Sequence, residues 1–209
     1  MSSELKVNSI RDTSNNEAIT ISSGNVSITN TLSAGTIGSG VTGAGLITMF
    51  DQFYIEDDFI GNGATITPWT RVTASTHTGY SPLNTGLTKA SGVFSFPENG
   101  LYLVQGTFTI QGSSGGDDNI GIRLQVTVNS STYLTRVQAI SEVNNTQTTG
   151  NVSIGPTLIN CTNISNVKFR WLSNSVASGN EIRGTDGEQT SSQDIIYTTF
   201  SAMRIGTSQ

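Results

Sequence analysis

The segment Val93-Phe-Ser-Phe-Pro-Glu-Asn-Gly-Leu-Tyr-Leu-Val104, continuing through Gln-Gly-Thr-Phe-Thr-Ile110, constrains the fold of this chain more than any other stretch. Two runs rich in aromatic and β-branched residues flank Pro97-Glu-Asn-Gly100. Proline fixes φ and an Asn-Gly pair accepts φ > 0, so the tetrapeptide predicts a tight reversal between antiparallel strands. In the second run Leu101, Leu103, Gln105, Thr107 and Thr109 fall on one face, and Tyr102, Val104, Gly106, Phe108 and Ile110 on the other. Successive side chains of a strand point to opposite faces, so the second set is the expected inter-sheet core.

Further strands are expected at residues 47–55, 69–73, 92–96, 119–129, 132–140, 149–158, 166–173 and 195–205, separated by Gly-, Asn- and Ser-rich turns. That spacing is the signature of an all-β sandwich, and the four prolines are expected at turns or strand ends. The last run carries apolar residues on both faces, as expected where one face packs internally and the other meets a neighbouring subunit. Phe50, Phe94, Phe96, Tyr102, Phe200 and Met203 are the expected core and trimer-contact residues.

Residues 1–45 differ from residues 46–209: no Phe, Tyr or Trp precedes Phe50, and isolated aliphatics recur among Ser, Thr, Asn and Gly. Ala18-Ile-Thr-Ile21 and Asn25-Val-Ser-Ile-Thr29 alternate like strands, yet each is too short to bury its apolar side alone. An anchor around Leu5, Val7 and Ile10, followed by a thin trimeric stalk, accounts for this pattern. A flexible Gly/Ser-rich linker is the alternative.

With 12% charged residues and a net charge of −5, the chain lacks the clustered Lys and Arg that phosphate-backbone binding requires. Nucleic acid is therefore excluded as a primary partner, and Lys6, Arg71, Arg123 and Arg183 are expected to be isolated solvated positions. The single Cys161 has no disulfide partner within the chain and is expected at a buried strand end. No apolar run approaches the ~20 residues of a membrane span. The start Met-Ser-Ser-Glu lacks the basic and apolar parts of a signal peptide, and the lone cysteine is as expected of a protein made in a reducing cytoplasm.

Several motifs fail on context. Gly38-Ser-Gly-Val-Thr-Gly43 matches a dinucleotide-binding pattern, but no buried strand leads into it and no helix follows. Gly112-Ser-Ser-Gly-Gly116 matches a nucleophile elbow, but the only histidine, His77, is expected in an exposed loop. Acidic residues cluster at 56–58, 117–118 and 181–188, and spacing alone places no two of them across a cleft as glycan hydrolysis needs. Asp117 and Asp118 form the one weak metal candidate, for calcium. No cofactor and no catalytic residue is expected.

Three pieces together resemble the jelly roll of tumour necrosis factor and of complement-type globular heads: Met49-Phe-Asp51, the 92–102 corner, and Thr199-Phe-Ser-Ala-Met-Arg-Ile205. The N-terminal Leu5-Lys-Val-Asn-Ser-Ile-Arg-Asp-Thr-Ser14, and later Ser178-Gly-Asn-Glu-Ile-Arg-Gly184, resemble short tail-fibre or appendage proteins of marine bacteriophages, cyanophages in particular. The resemblance implies a homotrimeric, non-enzymatic virion protein, assembled in the host cytoplasm. Its N-terminus would join other virion proteins, and its jelly-roll heads would attach to host-surface glycan or protein. Trp69, Tyr80, Asp117, Asp118, Glu181, Asp186 and Glu188 are the expected contact-loop residues. A capsid or tail decoration protein, a secreted lectin and a glycan hydrolase are the alternatives.

Overall fold

The computed structural model describes residues 9–11, 17–22, 25–28, 47–75, 77, 79–112, 118–143, 149–174, 180–185 and 196–209. The chain divides into two compact units, Met1–Thr42 and Gly43–Gln209. The first contains β1 (Ser9–Arg11), β2 (Glu17–Ser22) and β3 (Asn25–Ile28), an antiparallel sheet in the order β1-β2-β3. Both alternating segments therefore find a partner within one chain, with Ile19 opposite Ile28 and Ser22 opposite Asn25. Ile10 lies in β1 opposite Ile19, while Leu5 and Val7 lie outside the described residues.

The second unit is built from β4 (Met49–Ile55), β5 (Trp69–Arg71), β6 (Thr88–Ala90), β7 (Val93–Ser95), β8 (Gly100–Gln111) and β9 (Asp118–Thr127). It continues with β10 (Leu134–Val143), β11 (Thr149–Cys161), β12 (Lys168–Asn174), β13 (Glu181–Ile182) and β14 (Thr199–Gly206). Two antiparallel sheets face each other: β10-β9-β12-β7-β6, and β11-β8-β14-β4-β5 with β13 pairing β8 beyond the end of β14. This is an all-β jelly-roll sandwich with no helix among the described residues. Two strands that the sequence reading lacks, β6 and β13, are only three and two residues long. Neither is long enough for its alternation to register as a pattern.

The Pro97–Gly100 turn corrects an expectation. It does not return the chain alongside β7; it carries it from the five-stranded sheet, where β7 pairs β6 and β12, to the six-stranded one, where β8 pairs β11 and β14. Gly100 is absent from the positive-φ residues among those described. Its requirement is space: a Cβ there would lie 2.4 Å from Arg204 Nε and 2.9 Å from the Gly206 carbonyl oxygen. Arg204 spans the corner, donating to Asn99 O at 3.1 Å and Thr48 Oγ1 at 2.9 Å, with Glu98 Oε1 3.5 Å from its Nε. Tyr102 closes it from inside, its hydroxyl donating to Glu98 O at 2.8 Å, the geometry of a tyrosine corner. Burial pushes the Tyr102 hydroxyl up to about 12, against the opposing charge of Arg204.

Pro156 also departs from expectation, since it sits inside β11. The register with β8 shifts between Ile154 and Thr157, and β11 is an edge strand, so the missing N–H costs no ladder bond at a bulge. Cys161 ends β11 and is fully buried; burial pushes its thiol up.

The expected inward face of β8 is realised, with Tyr102, Val104, Phe108 and Ile110 all fully buried. They meet Ile120, Ile122, Leu124, Phe169 and Trp171 of the opposite sheet. Phe200 of β14 stands at the centre, its ring 4.7 Å from Phe94, 4.8 Å from Trp69 and 5.2 Å from Phe53. Each such offset or edge-on pair adds about 0.5–1.5 kcal/mol beyond area burial. On the side where β5 and β6 form the two sheet edges, side chains cross between the layers: Arg71 donates to Leu87 O and Lys89 to Trp69 O. Cationic side chains on edge strands also keep those edges from pairing with another chain.

Candidate functional site

The outer face of the six-stranded sheet is the surface most shaped by the alternation of the strands. Inward Met49, Asp51, Phe53 and Ile55 leave Phe50, Gln52 and Tyr54 of β4 outward, and Phe200 and Ala202 leave Thr199, Ser201, Met203 and Ile205. The pairing register aligns these residues in rows. Met203 stands opposite Phe50 on one side and Leu103 on the other, and Leu103 stands opposite Leu158. An apolar row therefore crosses β4, β14, β8 and β11. Next to it runs Gln52–Ser201–Gln105, and beyond that Tyr54–Thr199–Thr107–Ser153. Gln52 Nε2 donates to Thr199 Oγ1 at 3.0 Å and Gln105 Nε2 to Ser201 Oγ at 3.3 Å. These polar rows line a shallow depression of about 350 Å³. In these three rows there is no charged side chain, although Leu158 is 58% exposed and Phe50, Leu103 and Met203 are half-buried.

The expected core and trimer residues thus separate into two groups. Phe94, Phe96, Tyr102 and Phe200 lie in the core, whereas Phe50 and Met203 face outward. Among the expected contact-loop residues, Trp69 is a correction: it is fully buried, its indole donating to Ile66 O at 2.9 Å and its ring packed on Phe94, Phe108 and Phe200. A tryptophan at the start of an expected strand, among Thr, Pro and Arg, gives no sign in sequence of which way it faces, and only the opposing layer reveals it as core. Tyr80 is 48% exposed. Asp118 begins β9 opposite Val143, while Asp117, Asp186 and Glu188 lie outside the described residues, as does Gly38–Gly43. Among the described residues no group of three His, Cys, Asp or Glu is placed to hold a metal.

His77 is likewise a correction. It is 7% exposed, in edge-on contact with Tyr54 at 5.0 Å, and neither ring nitrogen has a hydrogen-bond partner. It packs as a buried aromatic residue rather than standing in an exposed loop.

The 56–58 and 181–188 acids converge in part. Arg183 Nε lies 3.5 Å from Asp58 Oδ1 and its Nη1 3.8 Å from Glu181 Oε1, while Asp58 Oδ1 also accepts the Gly184 N–H at 2.7 Å. Desolvation first, and the Asp58 charge second, push the Glu181 carboxyl above its ordinary value, with Arg183 opposing. The folded state thus binds this proton more tightly than the unfolded chain. Its stabilising share is complete below the ordinary carboxylate range and is lost as pH rises through the raised value. Glu181→Gln is expected to raise the thermal midpoint at pH 7 and to leave it nearly unchanged at about pH 3. Equal shifts at both pH values would contradict the sign.

The residue that sequence reasoning missed is Asp51. It is fully buried, faces inward between Met49 and Phe53, and receives Arg71 through both oxygens at 3.0–3.2 Å and the Leu87 N–H at 2.8 Å. An acid at an inward position of an otherwise apolar strand was the available signal.

No family model and no curated protein matches the sequence. Solved structures are similar in fold. Eiger TNF from S. frugiperda superposes with a TM-score of 0.53 at 10% identity, covering 78% of this chain and 96% of that one. Murine APRIL, in a crystal structure at pH 8.5, gives 0.51 at 7% identity, covering 75% and 98%. The fold is that of the tumour-necrosis-factor jelly roll. At these identities the likeness fixes the arrangement of the two sheets and leaves partner and role to the surface of this chain.

Proposed function

We propose that this chain is a non-enzymatic bacteriophage virion protein, a short homotrimeric fibre or knob whose jelly-roll heads attach to a host surface. The observation that carries the reading is the set of three uncharged rows on the outer face of the six-stranded sheet. An apolar row crossing four strands, continued by amides and hydroxyls that already satisfy one another, suits contact with another copy of the chain. A solvated sheet face would be expected to carry Lys and Glu instead. Of the acids weighed for glycan hydrolysis, Asp58 and Glu181 both face Arg183. Residues 1–45, with Leu5, Val7 and Ile10, serve in this reading as anchor and stalk on the outside of the particle. Three heads on one stalk convert weak single contacts into firm attachment.

Light scattering on the purified protein is expected to give three times the 22.0 kDa of one chain. Leu103→Glu puts a charge in the middle of the apolar row and should cost on the order of 3 kcal/mol per contact, shifting the protein to monomer with its β-rich spectrum intact. A wild-type monomer, or a Leu103→Glu protein of unchanged mass, would overturn the assignment of this face.

A further inference from the structure

The outer face of the other sheet has the opposite chemistry. Ile120, Ile122, Leu124 and Val126 of β9, and Phe169 and Trp171 of β12, point inward and are buried, which turns Arg123, Lys168 and Arg170 outward. Lys168 pairs with Thr127, Arg170 with Gln125 and Leu172 with Arg123, so three successive outward rungs each carry one cation. Three other arginines are matched by carboxylates: Arg71 by Asp51, Arg183 by Asp58 and Glu181, Arg204 by Glu98. Here the partners are neutral. Arg123 Nε donates to Gln138 Oε1 at 2.9 Å and Arg170 Nε to Gln125 Oε1 at 2.9 Å. Gln125 is itself nine-tenths buried and held by Thr135 Oγ1 at 3.2 Å, and the Arg170 guanidinium lies 4.2 Å over the Tyr133 ring. Amide and aromatic partners fix where a guanidinium points without cancelling its charge. Glu142, an exposed acid on β10, lies four residues beyond Gln138, about 13 Å along the strand.

We infer that this face binds an acidic polysaccharide, whose carboxylate or sulfate groups meet Arg123, Lys168 and Arg170 and whose hydroxyls meet the flanking Gln and Thr side chains. Oriented, uncompensated guanidinia suit planar or tetrahedral oxyanions. A single-stranded polynucleotide is the poorer match: its bases call for open aromatic platforms to stack on, and Tyr133, the ring beside this stripe, is covered by Arg170. The inference deepens the attachment role and rests on it for its setting, while the chemistry of the face requires only the folded head.

The test uses the full-length protein and calorimetric titration with heparin and polygalacturonate as sulfated and carboxylated probes, dextran as the neutral control, and a single-stranded oligonucleotide. Heparin or polygalacturonate should bind, dextran should not, and affinity should fall as salt is raised. Arg123→Gln with Arg170→Gln should weaken binding by about tenfold or more. Lys168→Gln, which leaves the guanidinium–amide pairs in place, should weaken it less but measurably. Light scattering on the same variants should give the wild-type mass, which separates loss of this face from loss of assembly. A monomeric wild type that still binds the acidic probes would overturn the trimer and leave this site standing. Absence of binding to both acidic probes, binding indifferent to all three substitutions, or tighter binding to the oligonucleotide would overturn the inference.

Discussion

Replacing Asp51 by Ala should lower the unfolding free energy of the head by about 3–5 kcal/mol, read as a large drop in the urea midpoint. The carboxylate is fully buried and accepts from Arg71 Nε and Nη2, the Leu87 N–H and the Gln52 N–H. Removing it strands a guanidinium that is only partly exposed and leaves a buried backbone donor without an acceptor, and each of these is costly. The site also leaves no room for adjustment, since a Cβ on Gly86 would lie 2.2 Å from Asp51 Oδ2. Asp51→Asn should lose nearly as much, because an amide presents a donor where two donors already converge. Combining Asp51→Asn with Arg71→Gln should recover part of that loss, since the unmatched charge goes with it. A midpoint unchanged by Asp51→Ala would show that the Arg71 bridge between the layers is dispensable.

Phe200→Ala should cost a further large amount, about 3–5 kcal/mol, through lost burial and the cavity left behind. Its ring touches Phe53, Trp69, Phe94, Phe169 and Trp171, drawn from both sheets, so the cavity opens where the layers meet. The effect should fall on the fold of the single head. Near-ultraviolet circular dichroism should lose aromatic signal, and the urea midpoint should fall whether or not the protein is assembled. Leu103→Glu, on the other face of the same sheet, should change mass with little change in that signal. If Phe200→Ala instead altered mass alone, the inward and outward faces of β14 would be reversed.

Much of the fold was legible because strand alternation is a local property. The inward set of β8 could be written down from residues 101–110, and the strand, Gly100–Gln111, extends that pattern by one residue at each end. The corner was legible in position and misread in direction. Pro-Glu-Asn-Gly encodes a change of course, but whether the chain returns beside β7 or crosses to the second sheet depends on Arg204 and β14, a hundred residues away. Trp69 and His77 were misread for a related reason: short polar surroundings suggest exposure, and burial is conferred by elements distant in sequence.

The two outer faces divide along the same line. Alternation within each strand decided that β8 and β14 would present one side to the core and a weakly polar side outward, because the two-residue period is fixed by backbone geometry. It could not decide which outward residues become neighbours. Arg123 is far in sequence from Lys168 and Arg170, and Phe50, Leu103, Leu158 and Met203 are far from one another. The antiparallel register gathers the first three into a cationic stripe and the other four into an apolar row. Register is set by packing of the buried faces against the opposite sheet, since a slip of one residue would turn every core side chain to solvent. The sequence by itself determined an all-β chain of alternating strands, and the tertiary structure alone decided which of its isolated charges and aliphatics stand together as surfaces.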